Sequence, residues 1–280
     1  MIYSSGFNNK ASLNLSWQYK GNFYWGINLN FHDILVEKEL RHVESNFDSD
    51  SPITDIDFRN YLTTNGSGIS IQGGLIYKLK TIRLGLSYTT PTYYSFEDNL
   101  EQYIKTSSVD VDGNIFTDIV DPQIINLYDY DFKSPSKLSF SVASIINNMI
   151  IISADLVSKD YSNSKFKHDN DGLYNGLNSA IGKNLASVLD YKIGTEIKLN
   201  QFSLRGGYKA SNNPYNTNEK KYITSQTIGL GYDFNGSTLD FAVINSSYNY
   251  NYQLFDTGLT DSASIETNQL KLIFSYNIIF

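Results

Sequence analysis

The acidic stretch that begins at Asp110 has the residue types and spacing of a possible cation site. Asp110, Asp112 and Asn114 match the first three oxygen ligands of an EF-hand calcium loop. The sixth position of such a loop needs glycine for its sharp turn, but here it is Ile115. The twelfth is Asp121 instead of a bidentate glutamate. The stretch therefore predicts an exposed hairpin tip with a turn at its Asp-Gly pair.

Other reactive side chains are scattered along the sequence. The three histidines, His32, His42 and His168, do not have the spacing of a zinc site. The chain has no cysteine, which excludes disulfides and thiolate metal sites. No Ser-His-Asp grouping can be assembled from the motifs. We therefore predict no enzyme activity, no metal, and no nucleotide or covalent cofactor.

One pair of opposite charges can be placed by turn geometry. If Asn200-Gln201 is a two-residue turn, Glu196 and Arg205 face each other across two strands. Both belong to the polar face of those strands. We predict a salt bridge between them that points inward and holds adjacent strands together. The alternative is a charge that selects solutes.

These residues lie in a chain dominated by alternation with the two-residue period of a β-strand. Leu13, Leu15, Trp17 and Tyr19 share one face of the first segment, and Phe23 and Trp25 begin the next. Further alternating segments start near residues 67, 82, 136, 149, 190, 202, 223, 237 and 264. The final segment places Leu270, Leu272, Phe274, Tyr276, Ile278 and Phe280 on one face. The aromatic residues beside the first turn predict an interfacial girdle, although core packing would also explain them.

The connections between these segments are of two kinds, and the two kinds alternate along the chain. The tight ones are residues 20–22, 80–81, 147–148, 200–201 and 235–236. The long ones are residues 33–66, 99–130, 163–189, 212–222 and 251–263. Short turns at one end of a sheet and long loops at the other are typical of an outer-membrane β-barrel. We therefore predict an all-β, transmembrane antiparallel barrel in the outer membrane of a Gram-negative bacterium.

The order of tight and long connections also predicts the strand number. It gives 11 strands, counted from the alternating segments, with the first and last both running toward the short-turn end. Residues 82–146 would then form one long upward and one long downward strand. Bacterial single-chain barrels have even strand numbers, so an odd count predicts that strands are missing. With no signal peptide at Met1, we expect residues 1–280 to be the C-terminal portion of one barrel domain.

Composition limits the other classes of protein. The net charge is −7 and the isoelectric point about 5.0, with no cluster of basic residues, so nucleic-acid binding has little support. The longest purely apolar runs are far shorter than the ~20 residues of a membrane-spanning helix. A membrane-spanning strand, which needs only about 9–11 alternating residues, remains possible.

Three patterns within the long connections carry further predictions. Residues 33–41 suit a strand extension or a short amphipathic helix. Apolar side chains recur every four residues from Leu173 to Leu189, which predicts a helix that packs on the barrel rim or offers a hydrophobic landing surface. Asn65-Gly66-Ser67 matches a glycosylation sequon, but the Asn-Gly pair is interpreted more simply as a turn.

Several short motifs together resemble the FadL-type family of outer-membrane transporters. They are Arg83-Leu84-Gly85-Leu86-Ser87-Tyr88-Thr89-Thr90-Pro91, Asp131-Phe132-Lys133-Ser134-Pro135-Ser136-Lys137-Leu138, Ser153-Ala154-Asp155, Leu204-Arg205-Gly206-Gly207-Tyr208 and Asn213-Pro214-Tyr215. Their order resembles that of Bacteroidetes-type members and covers essentially the whole chain. The resemblance implies a 14-stranded barrel plugged by an N-terminal hatch. Here the hatch and first three strands would be absent.

The resemblance also implies a function. Family members carry long-chain fatty acids and aromatic hydrocarbons, and they capture ligand in a groove between two extracellular loops. Those loops would correspond to residues 33–66 and 99–130, which makes Ile34, Leu35 and Leu40 candidate groove residues. The implied partners are hydrophobic small molecules, outer-membrane lipids and, through the strand ending at Phe280, the barrel assembly machinery. The alternatives are a structural or adhesive barrel, a general porin and a soluble lipid-binding β protein.

Overall fold

The computed structural model of the chain describes residues 1–48, 50–121, 126–167, 172–215, 222–252 and 262–278. Fifteen antiparallel strands of these described residues form one sheet, which confirms the predicted all-β fold. The strands are β1 (Ile2–Tyr19), β2 (Phe23–Ser45), β3 (Ile53–Leu79), β4 (Ile82–Thr89), β5 (Tyr93–Val109), β6 (Ile115–Val120), β7 (Asn126–Lys133), β8 (Lys137–Ile146), β9 (Ile150–Asp160), β10 (Lys165–Lys167), β11 (Ser187–Leu199), β12 (Phe202–Asn212), β13 (Tyr222–Asp233), β14 (Ser237–Tyr252) and β15 (Ala263–Ile278).

Within the described connections there are two short helices. A 3-10 helix (Tyr161–Asn163) separates β9 from β10, and α1 (Asn175–Asn184) precedes β11. The described chain contains no helix with both the length and the apolar character needed to cross a bilayer. The predicted helix within the leucine pattern is thus confirmed at α1, but Leu189 belongs to β11 and not to that helix.

Eleven of the strands are consecutive neighbours across the sheet, the number that the alternation predicted. They are β1 to β4, β8, β9 and β11 to β15. The five predicted tight turns join them in pairs, and each turn contains a non-glycine residue with positive φ. These residues are Lys20, Lys80, Asn147, Asn200 and Asn235. Within the described residues, β1 and β15 each pair on one side only and form the edges of the sheet.

The prediction that residues 33–66 and 99–130 are long loops is wrong for most of their length. Residues 33–45 continue β2 and pair with the upper part of β3, so the strand interpretation of residues 33–41 is the correct one. Residues 99–109 continue β5, which pairs with β6. Since β3 has 27 residues and about 9–11 suffice to cross a bilayer, its upper part extends well beyond the membrane. With water on its outer side, that part shows no regular apolar alternation.

Residues 82–146 form the predicted long upward and downward strands, with an interruption in each. β4 and β5 both pair with β3, and β7 and β8 run back beside them. The interruptions contain Pro91 and Pro135, which lack the backbone N–H that a strand ladder uses. A turn at the Asp-Gly pair joins β5 to β6, as predicted, and Gly113 has a φ of 83° there.

The interruption at Pro91 changes which side chains face inward. Thr89 pairs with Gln72 and Tyr93 with Ile69, so three residues of one strand face two of the other. Such a bulge reverses the alternation of the faces. We call the face that carries Arg205 the inner face. Directly paired antiparallel residues share a face, which assigns the odd-numbered residues of β4 and the even-numbered residues of β5 to it.

The outer face is apolar in the part of the sheet near the tight turns. Leu204, Phe274 and Ile228 are examples with 46%, 72% and 67% of their surface exposed. Aromatic residues collect next to those turns, where Trp17 stacks on Trp25 with ring centroids 4.6 Å apart. Exposed apolar side chains on one whole face of a sheet match a lipid-facing surface with an aromatic girdle.

Candidate functional site

The lower part of the inner face, nearest the tight turns, contains an ion-pair network. Glu196 lies directly opposite Arg205, as the turn at residues 200–201 predicted, and the Arg205 Nε donates to Glu196 Oε2 at 2.8 Å. Arg205 Nη1 also donates to Asp240 Oδ1, two strands away on β14. Gly231 leaves room for this contact, because a Cβ there would lie 2.5 Å from Asp240 Oδ1. We call these three charged residues the arginine network.

Asp240 was missed from the sequence because its contact with Arg205 crosses β13. Turn geometry predicts pairs on adjacent strands, but Arg205 and Asp240 are not on adjacent strands. The long guanidinium side chain reaches over Gly231 to meet the carboxylate. The only sequence signal available was the absence of a side chain at Gly231.

Higher on the inner face, lysines are the main charged residues. Lys137 lies directly opposite Lys159, and Lys159, Lys192 and Lys10 are each close enough to repel its charge. Asp190, only 4% exposed, accepts a hydrogen bond from Lys159 at 3.3 Å. We call the four lysines the lysine cluster. Asp190 beside Lys159, and Asp155 opposite Lys192, offset part of their positive charge.

Above the lysine cluster, aromatic rings form a continuous series on the inner face. Phe96 lies between Tyr94 and Tyr130, with centroid distances of 5.2 and 5.5 Å. Phe166 contacts Tyr130 at 5.5 Å and Phe132 at 4.9 Å. The series continues at one end to Tyr174 and at the other to His32. We define the aromatic cluster as Tyr94, Phe96, Tyr130, Phe132, Phe166 and Tyr174.

Two glycines of β3 make this arrangement possible. A Cβ on Gly66 would lie 2.2 Å from the Phe96 ring, and a Cβ on Gly68 would lie 2.5 Å from the Tyr94 ring. The rings therefore lie directly against the β3 backbone. The interpretation of Asn65-Gly66 as a turn is wrong, since both residues pair within β3. Here glycine is needed for close approach of an aromatic ring and not for chain reversal.

Local contacts hold the rings in place from the α1 side. The Asn178 side chain accepts a hydrogen bond from the Phe166 N–H and donates to the Phe166 carbonyl, both at 2.9 Å. The helix is thereby fixed to β10 and places Tyr174 beside Phe166. Leu173 and Leu177 remain exposed, while Ile181 and Leu185 are half-buried. The predicted apolar pattern thus contributes a partly exposed hydrophobic surface next to the aromatic cluster.

A cavity of about 600 Å³ lies on the outer face of the upper part of the sheet, behind the strands that carry the aromatic cluster. Most of its lining consists of outer-face residues such as Ser95 and Glu97, and the predicted groove residues Ile34 and Leu35 both belong to that lining. Leu40, the third predicted groove residue, lies opposite Ile2 and Asn60, outside the lining of this cavity. The volume is within the range of small-molecule pockets, about 300–1,000 Å³.

Within the aromatic cluster, Tyr130 is the tyrosine whose pKa is clearly shifted. Burial, and after it the neighbouring Asp98 carboxylate, raises the pKa of Tyr130 to about 12. Asp98 also accepts a 2.6 Å hydrogen bond from the Thr64 hydroxyl. The phenol therefore stays neutral at physiological pH, so the aromatic cluster presents uncharged rings. Ring faces of this kind bind apolar and aromatic molecules.

Comparisons with known proteins identify the architecture. Neither protein-family models nor curated proteins match the chain. The monoaromatic hydrocarbon channel CymD matches with a TM-score of 0.61 and 14% identity, over 100% of this chain and 75% of CymD. The toluene transporter TodX of P. putida matches with a TM-score of 0.60 and 16% identity, over 99% and 70%. The toluene transporter TbuX of Ralstonia pickettii gives 0.57 and 14%, over 99% and 69%.

These similarities establish the fold. CymD, TodX and TbuX are outer-membrane β-barrels of the FadL family, so the predicted transmembrane barrel architecture and its FadL-type resemblance are confirmed at the level of the fold. The aromatic cluster, in contrast, was found only in the structure. The period-two aromatic pair Tyr94 and Phe96, which begins three residues after Pro91, was the available sequence signal.

Proposed function

We propose that this protein carries hydrophobic solutes across the outer membrane by passive diffusion. The observation that supports the proposal is the position of the aromatic cluster. It lies on the inner face, above the lipid-facing part of the sheet, and its rings contact one another in a continuous series. An apolar solute arriving from outside would meet these rings first. It would then leave downward along the inner face.

The substrate class that we propose includes long-chain fatty acids as well as aromatic hydrocarbons. The neighbours in fold are channels or transporters of monoaromatic hydrocarbons and toluene. A fatty acid adds a carboxylate to an apolar chain, and the lysine cluster below the rings supplies cations for it. The rings would hold the chain, and the lysines would attract the acid end.

Assembly of the barrel is a separate part of the proposal. The last strand, β15, presents exposed Leu270, Leu272, Phe274, Tyr276 and Ile278 on its outer face. Such a strand suits the barrel assembly machinery as its recognised segment. Phe280, which the sequence placed at the end of this strand, lies outside the described residues.

Solute uptake by cells expressing the full chain tests the proposed transport. We expect faster uptake of radiolabelled oleate and toluene than in cells without the protein, and loss of that gain in the double variant Tyr94→Ala/Phe96→Ala. Heat-modifiable migration in gels checks that the variant is folded. Equal uptake by the folded double variant would contradict the role of the rings. High conductance for small ions, without hydrocarbon uptake, would instead favour a general porin.

A further inference from the structure

A groove on the outer face lies away from the aromatic cluster and the lumen. Its volume is about 380 Å³. Gly73 lies at its base, between Ile27 on β2 and Tyr88 on β4. Trp25, Ile27, Leu75, Leu86, Tyr88 and Leu138 line its sides. The groove is thus the space of one missing side chain in an otherwise continuous apolar surface.

The backbone at Gly73 does not require glycine. Its φ lies outside the left-handed region, and a Cβ added there would have no neighbouring atom within 4 Å. Gly66 and Gly68 differ, since an aromatic ring already occupies the space beside each of them. At Gly73 the missing side chain leaves an open space, and this space faces lipid.

The height of the groove suits the chain of a membrane lipid. Tyr77 is one of the exposed aromatic residues next to the tight turns, opposite Phe23. Gly73 is four residues above it. At about 3.4 Å per residue and a tilt of about 45°, this is roughly 10 Å along the bilayer normal. Below it, two neighbouring tight turns carry the exposed cations Lys20 and Lys80. A backbone hydrogen bond of 2.8 Å from Lys78 to Asn22 joins the first turn to the end of β3. Positive charge therefore lies at headgroup level beneath an apolar groove.

We propose that this groove is a binding site for one phospholipid of the surrounding bilayer leaflet. An acyl chain would occupy the space at Gly73, in contact with Trp25 and Leu75. The lipid phosphate would lie between Lys20 and Lys80. The lipid would bind the barrel from outside and would be a resident partner, distinct from the solute in the lumen. The proposal rests on the membrane location given under Proposed function but not on transport itself.

Native mass spectrometry of the full chain released from nanodiscs tests the proposal. The nanodiscs contain equimolar phosphatidylethanolamine and phosphatidylglycerol. We expect one retained phospholipid on the wild-type protein, and about tenfold less retention in Gly73→Leu, in which leucine fills the groove. Gly206→Leu is the matched control. Gly206 lies on the outer face of β12, where a Cβ would have only an ordinary contact at 3.8 Å.

The outcomes separate the parts of the proposal. Equal retention by Gly73→Leu and wild type would overturn it, as would equal loss in Gly206→Leu or a wild-type protein that retains no lipid. Lys20→Gln/Lys80→Gln should reduce retention of phosphatidylglycerol, and unchanged retention would refute the headgroup assignment. If Gly73→Leu does not fold, Gly73→Ala provides a smaller filling with a smaller expected loss. Failure to enter nanodiscs at all would contradict the membrane location instead.

Discussion

The upper and lower parts of the inner face belong to one sheet, yet their chemistry is opposite. The lower part carries the arginine network, in which Arg205 bonds to Glu196 and Asp240. The upper part carries the aromatic cluster, whose rings contact one another and the glycines of β3. The lower side chains join β11, β12 and β14 through ion pairs, whereas the upper ones form a series of neutral aromatic rings.

The difference follows from what lies on the other side of the sheet. In the lower part the outer face contacts lipid, so apolar side chains point outward and polar ones point inward. In the upper part the outer face contacts water, and apolar rings are better placed inside. The bulge between Thr89 and Tyr93 lets one upward strand follow both rules. Odd-numbered residues face inward below the bulge, and even-numbered residues, including Tyr94 and Phe96, face inward above it. We therefore expect the two parts to respond differently to substitution.

The largest effect is expected at Gly66, which supports the upper part. In Gly66→Ala the new methyl group would lie 2.2 Å from the Phe96 ring, so the ring must move. We expect solute affinity to fall by about tenfold or more, which is about 1.4 kcal/mol of binding free energy. Equilibrium dialysis with radiolabelled toluene measures the dissociation constant.

The control for this variant is another inner-face glycine. In Gly74→Ala the Cβ would lie 3.7 Å from the Ser87 Cβ, which is ordinary contact, so affinity should not change. Equal affinities of both alanine variants and wild type would mean that the solute does not depend on the aromatic cluster.

The second prediction concerns the lower part and is the reverse of the first. Arg205→Gln leaves Glu196 and Asp240 without their common cation, which should lower the free energy of unfolding by roughly 1–3 kcal/mol. Solute affinity should stay unchanged. Thermal unfolding in micelles, followed by gel migration, measures the loss of stability.

A nearby exposed charge provides the comparison. Lys198 lies 3.9 Å from Glu196 and is 56% exposed, so Lys198→Gln should change stability by less than about 0.5 kcal/mol. A loss of solute affinity in Arg205→Gln at unchanged stability would favour the interpretation of Arg205 as a solute-selecting charge.

A smaller effect is expected at the top of the β2–β3 hairpin, which extends the upper part. Arg41 and Arg59 are directly opposite each other, and Asp57 bonds to both. Hydrogen bonds from Arg59 and then Arg41 hold the pKa of Asp57 far below its usual range. In Asp57→Asn the two arginines repel, so hydrogen exchange by mass spectrometry should show faster exchange in this hairpin at neutral pH.

The sign of the pH dependence follows from the lowered pKa. Asp57 is ionised in the folded state down to strongly acidic pH, so its contribution is complete above the ordinary carboxylate pKa. It is lost only as pH falls through the lowered value. Wild-type exchange in the hairpin should therefore be constant from neutral pH to about pH 4, after correction for intrinsic exchange rates. Faster corrected exchange at mildly acidic pH would contradict this assignment.

The smallest effect is expected from Tyr130→Phe. The folded pKa of Tyr130 is about 12 against an ordinary 10.0, so its stabilising effect is complete below pH 10 and lost as pH rises through 12. Ultraviolet difference titration should show one fewer late-titrating tyrosine in the variant. Solute affinity at neutral pH should be nearly unchanged, since the ring remains. A large loss of affinity would instead assign the hydroxyl a direct role.

The sequence predicted the lipid-facing part of the fold well because one physical rule governs it. Where one face contacts lipid, alternation is strict, and the eleven consecutive strands and five tight turns could be counted directly. The same turn geometry placed Glu196 opposite Arg205. Above the bilayer this rule no longer holds, so strand extensions in residues 33–66 were interpreted as loop. The aromatic cluster lies in this upper part, so the alternation rule could not predict it either.

The sequence by itself determined the strand class, the tight turns and the apolar outer face, since each depends on neighbours within a few residues. Only the tertiary structure decided which residues meet across several strands. Asp240 reaches Arg205 over β13, and Phe166 joins Phe96 through Tyr130. Gly66 shows the distinction most directly. Its sequence neighbours indicate a turn, but the ring that needs its missing side chain lies 30 residues away at Phe96, brought there by strand pairing.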